Sequence, residues 1–405
     1  MAPRAQAQLQ ELSLDFAEQA RKESTLGRVR PELKAIGIET EYLPSFEEFH
    51  KAEVRFGFED NLFRTEEEVK SDFFVAFLPN LAICSNWESH QFEFESKAHF
   101  QHWQEFESED FDDFSLRSKL RVDIDERSSS FIELRHGRGH EGRSAVDDEG
   151  GQNVTTLFTT SAEVGADYGG GSIISTEASA KIARLNYGDN DLNHDDRDRD
   201  EITVRNRWTY EDVPGSRFFL EPSLNIHQFV DSFDDANENR GSLAWQMLSG
   251  LTIYYSGVTF FAFNGGYTTR SFTDLTFDDI DGLTMDGRMT WNMTGLTTVI
   301  LGVHHNFEGT NLADASQIQA TGGDIRVDHE LLYSLLLSAG GSYEQNEFIE
   351  STRNDTDWDA FLGFRYFMNR QFSVRGDYSH SERVSSESSS SFGNNAVTLR
   401  LLGQI

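Results

Sequence analysis

Basic side chains recur at every second position in many short segments of the chain. In residues 200–210, Arg205 and Arg207 alternate with the apolar Val204 and Trp208. Because successive side chains of a β-strand point to opposite faces, such a segment presents cations on one face and apolar groups on the other. Twelve basic residues have this placement, namely Arg55, Arg117, Lys119, Arg121, Arg135, Arg205, Arg207, Arg288, Arg326, Arg365, Arg375 and Arg400.

The apolar neighbours of these cations indicate what surrounds them. An arginine or lysine on the lipid face of a transmembrane barrel costs about 2–4 kcal/mol at the membrane midplane. If the apolar face of each strand contacts lipid, the cations must line a water-filled interior. A basic wall around a narrow passage focuses its field on the passage and attracts anions. The pattern therefore predicts that these residues line a pore suited to anionic or sugar-acid solutes.

Acidic and aromatic residues on the same face leave two further interpretations open. Ion pairs between the cations and inward-facing acids would brace the wall, and braced arginines would still line a polar passage. Inward-facing phenylalanines would either stack on sugar rings or pack against a neighbouring strand or a plug. The residues in question are the acids Glu93, Glu95, Asp123, Asp286 and Asp377, and the aromatic residues Phe219, Phe229 and Phe361.

The sequence favours neither a metal centre nor a catalytic site. The adjacent His304 and His305 would point to opposite faces of a strand, and His136 and His140 belong to no recognised metal motif. The acidic stretch 189–201 lacks the spacing of an EF-hand loop. No Gly-x-Ser-x-Gly nucleophile motif is persuasive. We therefore expect no bound metal, no cofactor and no catalytic residue.

The elements that must position these side chains follow from the same alternation. Period-two segments indicate strands, and they recur from about residue 52 to the C-terminus. About eighteen such segments are expected. They start near residues 52, 72, 90, 113, 130, 153, 172, 200, 216, 242, 258, 282, 297, 318, 334, 357, 371 and 394.

The predicted connections alternate in length, which a soluble β-sandwich or propeller does not require. Outer-membrane barrels have short periplasmic turns, longer outer loops and an even strand number, which places both termini in the periplasm. The chain is thus predicted to be an all-β protein, a transmembrane antiparallel up-and-down β-barrel of about 18 strands. Short connections are expected at 86–89, 125–128, 169–171, 213–215, 256–257, 294–295, 329–332 and 368–370. Long ones are expected at 104–112, 137–152, 188–199, 231–240, 271–280, 309–316, 347–356 and 381–393.

Composition agrees with this class of protein and excludes others. The formal charge of −34 argues against nucleic-acid binding, because affinity for phosphates depends on lysine and arginine. No stretch approaches the eighteen or so consecutive apolar residues of a spanning helix, which excludes a helical membrane protein. A hydrophobic fraction of 37% and a mean hydropathy of −0.53 are compatible with transmembrane strands, because such a strand needs only one apolar residue in two. The acid is concentrated in the long connections, and Cys84 is the lone cysteine.

Residues 1–50 differ from the rest and are predicted to form a short N-terminal periplasmic arm before a barrel of residues 51–405. Ala5-Gln6-Ala7 has the form of a signal-peptidase site, so the start is interpreted as a signal-peptide remnant. Leu9, Leu12, Phe16 and Ala20 recur at roughly helical spacing. A disordered leader is the alternative.

Several short motifs, in order along the chain, resemble a family of bacterial outer-membrane β-barrel porins encoded with exopolysaccharide and capsule synthesis genes. The resemblance extends from about residue 30 to the C-terminus. It rests on Arg30-Pro31-Glu32, Phe58–Thr65, Lys70–Phe73, Leu78–Leu81, Asp195–Glu201, Leu296–Val299, Val327–Leu332 and Leu337–Gly340.

The resemblance implies a pore in the outer membrane of a Gram-negative bacterium that takes part in export of an exopolysaccharide or capsular polysaccharide. The partners expected with it are membrane lipid and lipopolysaccharide, the polysaccharide substrate, periplasmic polysaccharide export proteins and the barrel assembly machinery. Two other functions remain open on the residues themselves. One is a general or anion-selective diffusion porin, and the other is a surface-binding or adhesive barrel.

Overall fold

The computed structural model describes most of the chain outside the N-terminal segment and several loop tips. The predicted signal-peptide remnant and the helical spacing of residues 9–20 lie outside the described residues, as does most of the acidic stretch 189–201. The described residues are 38–40, 43–146, 153–188, 197–213, 216–233, 238–310, 312 and 315–404.

Within these residues the chain forms one short strand and eighteen long ones, in agreement with the predicted number. Apolar residues at every second position give these segments their extended conformation. The strands are β1 (Ile38–Thr40), β2 (Leu43–Glu59), β3 (Asp72–Ser85), β4 (Gln91–Trp103), β5 (Phe111–Asp123), β6 (Ser128–His140), β7 (Thr156–Tyr168), β8 (Ile174–Tyr187), β9 (Arg199–Val213), β10 (Ser216–Phe229), β11 (Ser242–Ser256), β12 (Thr259–Phe272), β13 (Ile280–Trp291), β14 (Thr297–Gly309), β15 (Gln317–Leu332), β16 (Leu335–Ile349), β17 (Asn354–Phe367), β18 (Phe372–Ser385) and β19 (Phe392–Gln404).

The long strands close into a barrel. From β2 to β19 each strand pairs antiparallel with the next in sequence. The last strand, β19, then pairs with β2, from Ala396 opposite Glu59 to Gln404 opposite Lys51. Closure leaves no long strand with an unpaired edge, which removes the aggregation hazard of an open sheet.

The connections are sorted by rim as predicted, with one exception. One rim carries the turns 86–90, 124–127, 169–173, 257–258, 292–296, 333–334 and 368–371, and the other carries loops such as 60–71, 141–155 and 230–241. A long loop at 347–356 was predicted, but β16 extends to Ile349 and β17 begins at Asn354. The polar residues of this stretch belong to the ends of two strands that extend beyond their apolar segments.

The barrel begins earlier than the sequence predicts. β2 starts at Leu43, so the boundary predicted at residue 51 falls inside this strand. Glu47, Glu48 and Lys51 interrupt the apolar alternation there, which is why the pattern alone starts the barrel too late. The short β1 pairs with the N-terminal part of β2, with Ile38 opposite Glu48.

The outer face of the barrel is apolar and carries aromatic residues close to the short turns. Trp208, Tyr210, Trp291 and Tyr366 are exposed there, as expected for a belt at the membrane interface. Tyr254 is also close to a short turn, but it packs edge-on against the buried Phe260 inside the barrel, with 5.0 Å between ring centroids, and so does not belong to this belt.

Small apolar clusters inside the barrel lie beneath the loops. One contains Leu62, Phe74, Ala76 and Trp103. The other joins the loop residue Val146 to Ala315, in the connection between β14 and β15, and to Ile318 and Phe348 of the opposite wall. No helix in the described part of the chain is long and apolar enough to span a membrane.

Candidate functional site

The pleat of the strands places all twelve predicted basic residues on the face that encloses the lumen. On β9, for example, Val204 and Trp208 are exposed on the outer face, so Arg205 and Arg207 point inward. Arg205 lies opposite Ser179 and Arg207 opposite Glu177, which are lumen-facing residues of β8. On every other strand that carries one of the twelve basic residues, that residue likewise alternates with side chains on the outer face. The part of these twelve residues in permeation stays a prediction.

Four of these arginines form a row across four adjacent strands. Arg55 of β2 lies opposite Arg400 of β19. Arg400 lies opposite Arg375 of β18, and Arg375 lies opposite Arg365 of β17. We call these four residues the arginine row. Directly opposed side chains in a sheet have Cβ atoms about 4.5–5.5 Å apart, so the row concentrates positive charge on one wall.

Carboxylates neutralise the arginine row only in part. Asp377 is shared, since its carboxylate lies 2.9 Å from Nε of Arg375 and 3.4 Å from Nε of Arg400. Arg55 pairs with Glu53. Three guanidinium groups therefore share two carboxylates, and this wall keeps an excess of positive charge.

The fourth member, Arg365, is held by different contacts. Its Nε and Nη2 donate to the hydroxyl of Ser373 at 3.3 Å. Its guanidinium also lies 4.9 Å from the ring centroid of Phe367. These contacts to a hydroxyl and a ring orient the side chain.

On the wall formed by β4 to β10, cations and acids are interleaved. Arg117 donates to Glu93 at 3.1 Å and to Glu133 at 3.0 Å, and Glu133 also pairs with Arg135. Arg121 lies 3.1 Å from Asp123. On this wall the arginines form ion pairs with inward-facing acids, as the interpretation that ion pairs brace the wall requires.

The same interleaving continues on β7 to β10. Arg205 lies 2.8 Å from Glu177, 3.5 Å from Glu163 and 3.8 Å from Glu221. Arg207 donates to Glu221 at 2.7 Å. The two walls therefore differ in charge, and the arginine row is the more positive one.

The remaining predicted residues occupy separate places in the lumen. Arg288 lies 3.4 Å from Asp324, and Arg326 lies 3.1 Å from Asp328. Lys119 makes no ion pair with any residue in the described ranges, and its Nζ lies 4.6 Å from the ring centroid of Phe131. Of the predicted acids, Glu95 pairs with Lys97, and Asp286 lies opposite His304.

A loop of the β6–β7 connection crosses the lumen near the rim with the long loops. Arg383 of β18 donates to the carbonyl oxygens of Ala145 at 3.2 Å and Ser144 at 3.1 Å. Arg353, beside the start of β17, donates to the carbonyl of Val146 at 3.0 Å. Because β6 and β18 lie on different sides of the barrel, residues 141–146, here called the crossing loop, narrow the mouth of the lumen.

Buried ion pairs hold the crossing loop on both sides. Near its origin Arg143 donates to Glu109 at 2.7 Å, and both side chains are almost completely buried. On the far wall Arg383 lies 2.7 Å from Asp357, and Arg353 lies 2.6 Å from the fully buried Asp355. We call Arg353 and Arg383, with their carboxylate partners Asp355 and Asp357, the clamp. The sequence analysis did not predict it. Asp355, Asp357 and Arg383 follow the lumen-facing alternation, but the loop carbonyls to which Arg353 and Arg383 donate are more than 200 residues away.

The histidines and inward phenylalanines occupy defined positions. His304 faces the lumen and bonds Glu344 at 2.9 Å, whereas His305 faces outward and contacts Thr321. Phe219 and Phe361 face the lumen as predicted, and a guanidinium group lies over each ring, at 4.3 Å for Arg207 and 5.8 Å for Arg326. Phe229 contacts Arg199 in the same way at 5.9 Å. The contacts tie the rings to cations of the wall.

An eighteen-strand closed barrel with an apolar outer face, an inward-folded loop and a charged lumen is an outer-membrane β-barrel porin. A family model described as "Putative beta-barrel porin 2" matches residues 34–405, and the chain belongs to this family. Its location is the outer membrane of a Gram-negative bacterium. No curated protein matches the chain in sequence.

Solved structures of Pseudomonas porins share the fold at low sequence identity. OccK2 (OpdF) of Pseudomonas aeruginosa in complex with glucuronate superposes with a TM-score of 0.53 and 12% identity, covering 89% of this chain and 98% of that chain. OpdK of the same species with vanillate gives 0.51 and 11%, covering 88% and 99%. The BenF-like porin of Pseudomonas fluorescens Pf-5 gives 0.52 and 10%, covering 88% and 98%.

Proposed function

We propose that the protein is a diffusion channel that favours small organic anions, carboxylates above all. The observation that carries this proposal is the arginine row, in which Arg55, Arg375 and Arg400 share two carboxylates. A guanidinium group binds a carboxylate through parallel N–H donors, and an ordered series of such groups offers an anion successive weak sites. Successive weak binding allows passage, whereas a single tight site would retain the solute.

The net charge of −34 does not oppose this selectivity. Much of the acid lies in exposed loops, and exposed charges are screened beyond about 8 Å at physiological ionic strength. Inside a narrow lumen the wall charges lie closer to the solute and are screened less. The local charge of the arginine row therefore decides which ion is favoured there.

Diffusion of small solutes agrees with the narrowed mouth better than does passage of a polymer. The crossing loop is fixed to the far wall by Arg353 and Arg383, so the open cross-section is smaller than that of the barrel. Polysaccharide export, which the sequence resemblance implied, draws no support from the family description or from the structural relatives. The structures of relatives with glucuronate and vanillate support carboxylates as the first solutes to test.

Single-channel recording on the purified protein in a planar bilayer tests the proposal. Under a KCl gradient the reversal potential is expected to indicate a preference for chloride over potassium. Glucuronate added to the bath is expected to interrupt the chloride current, because it competes for the same guanidinium groups. A cation-selective current that glucuronate leaves unchanged would refute the proposal.

A further inference from the structure

Two lumen-facing phenylalanines near the short-turn rim occupy equivalent positions on strands four apart. Phe131 is the fourth residue of β6, and Phe219 is the fourth residue of β10. Each lies directly opposite a glycine on the following strand, Gly165 for Phe131 and Gly250 for Phe219. The repeat shows that the arrangement is a property of the wall rather than of one strand.

A cationic side chain of the preceding strand lies over each of these rings. Nζ of Lys119 lies 4.6 Å from the ring centroid of Phe131, and the guanidinium carbon of Arg207 lies 4.3 Å from that of Phe219. Both cations come two residues before the cross-strand partner of the phenylalanine, which is Arg121 in one case and Thr209 in the other. The cation, the ring and the glycine therefore have the same relative positions on three adjacent strands in both cases.

The glycines are what allow the rings to lie against the wall. A Cβ atom at Gly250 would fall 2.0 Å from Cε1 and 2.3 Å from Cζ of Phe219. At Gly165 it would fall 2.4 Å from Cε1 of Phe131. These distances are far below van der Waals contact, so any larger residue forces the ring away from the neighbouring strand. With the cation on its other neighbouring strand, the ring has only the lumen to move into.

We propose that Gly165 with Phe131 and Gly250 with Phe219 are positioning residues that hold Lys119 and Arg207 against the wall. They keep the short-turn end of the lumen open and place two cations there as a second station for anions, beyond the arginine row. Lys119, which makes no ion pair with any described residue, supplies most of the charge of this station, because Arg207 is also paired with Glu221. The inference rests on the proposed anion channel for the role of the cations. Its claim about the width of the lumen is independent of that function.

The decisive variant is Gly250→Ala, because the three nearest atoms to its Cβ all belong to the Phe219 ring. It is expected to lower unitary conductance, since the displaced ring and guanidinium obstruct the passage. Gly376→Ala is a matched control. Its Cβ would fall 2.5 Å from Cε1 of Phe364, a ring exposed on the outer face, and that ring can move into lipid without touching the lumen. Equal conductance of the two folded variants would overturn the proposal.

A second pair of variants separates positioning from folding. Phe219→Leu removes the ring that carries Arg207 and is expected to leave conductance undiminished while shifting the reversal potential toward lower anion preference. Phe364→Leu, on the outer face, is expected to change neither. Lys119→Gln is expected to lower anion preference, and Lys119→Arg to preserve it. Unchanged reversal potentials for both Phe219→Leu and Lys119→Gln would overturn the second station.

The results also distinguish the inference from the proposed function. If the wild-type channel shows no preference for anions, the proposed function fails. Reduced conductance in Gly250→Ala but not in Gly376→Ala would still establish the role of the glycines in the width of the lumen. If the wild type is anion-selective and Gly250→Ala conducts like the control, the positioning claim alone fails.

Discussion

Arg55 lies directly opposite Arg400 across the seam where the last strand of the barrel meets the first, and both guanidinium groups face the lumen. Like charges in directly opposed positions of a sheet are destabilising. Arg375 and Arg365 extend the same arrangement over two more strands, so the unfavourable contact is repeated. A destabilising row of like charges is explained if a solute neutralises it. We propose that permeating anions neutralise the arginine row in this way.

The clamp on the crossing loop predicts a change in gating. Arg383→Ala removes the donors to the carbonyls of Ser144 and Ala145 and leaves Asp357 without its closest cation. Breaking a buried ion pair in this way is expected to destabilise the protein by about 3 kcal/mol. Urea unfolding in detergent measures the loss, and single-channel recording is expected to show a noisier, larger conductance.

Arg383→Lys separates the two effects of that variant. A lysine keeps the positive charge beside Asp355 and Asp357 but lacks the planar set of donors that reaches both carbonyls. Stability is expected to remain closer to that of the wild type while the gating noise persists. Quiet, wild-type currents in both variants would contradict the role assigned to the clamp.

The orientation of the barrel predicts which loops are accessible from outside the cell. Replacement of the lone Cys84 by serine gives a background without thiols. Leu275→Cys, at an almost fully exposed position of the loop 273–279, is expected to react with a membrane-impermeant maleimide on intact cells. Glu126→Cys, in the short turn 124–127, is expected to react only after the outer membrane is opened. The reverse pattern would place the short turns outside.

A contact between two outer loops is predicted to depend on pH. Asp274 accepts hydrogen bonds from the amides of Asn239 and Thr276 and from the Thr276 hydroxyl, and these donors lower its pKa. A lowered pKa means that the carboxylate stabilises the contact above its ordinary pKa of about 3.9 and that this contribution is lost as pH falls through the lower, folded-state value.

Hydrogen exchange measures that contact. At neutral pH the amide of Asn239 is expected to be protected in the wild type and to exchange faster in Asp274→Asn, which mimics the protonated state in losing its charge. Asp281, close by at the start of β13, provides a control through Asp281→Asn. Equal protection of the Asn239 amide in the wild type and Asp274→Asn would show that the loop contact does not depend on this carboxylate.

The strand pattern could be predicted because it depends on local alternation. A strand with one face in lipid and one in water must change polarity at every residue, so Val204, Arg205 and their neighbours indicate both strand and face. The pattern is lost where polar or aromatic residues occupy both faces of a strand. Because Glu47 and Lys51 interrupt the apolar alternation, the start of β2 could not be predicted. On β11, the adjacent Tyr254 and Tyr255 are both aromatic, and only the pleat decides that Tyr255 faces outward.

The clamp could not be predicted, because its contacts join segments that are distant in the sequence. Arg383 and Asp357 lie on neighbouring strands, yet the carbonyl of Ser144 is 239 residues from Arg383. A backbone carbonyl has no residue-specific signal, so nothing in the loop sequence identifies it as an acceptor. The charge difference between the walls was also hidden, since alternation reveals the face of each arginine but not its partner.

The central claim is that the arginine row makes the channel prefer anions, and reversal potentials of matched charge variants test it most directly. At about 8 Å in water a unit charge attracts an anion and repels a cation by about 0.5 kcal/mol each, so neutralising one arginine is expected to lower the anion-to-cation permeability ratio roughly five-fold. Arg375→Gln and Arg400→Gln are compared with Arg184→Gln, whose exposed guanidinium pairs with Asp200 on the outer face. We predict that both row variants lose anion preference, the double variant loses more, and Arg184→Gln retains the wild-type ratio. A double variant with the wild-type permeability ratio would contradict the account.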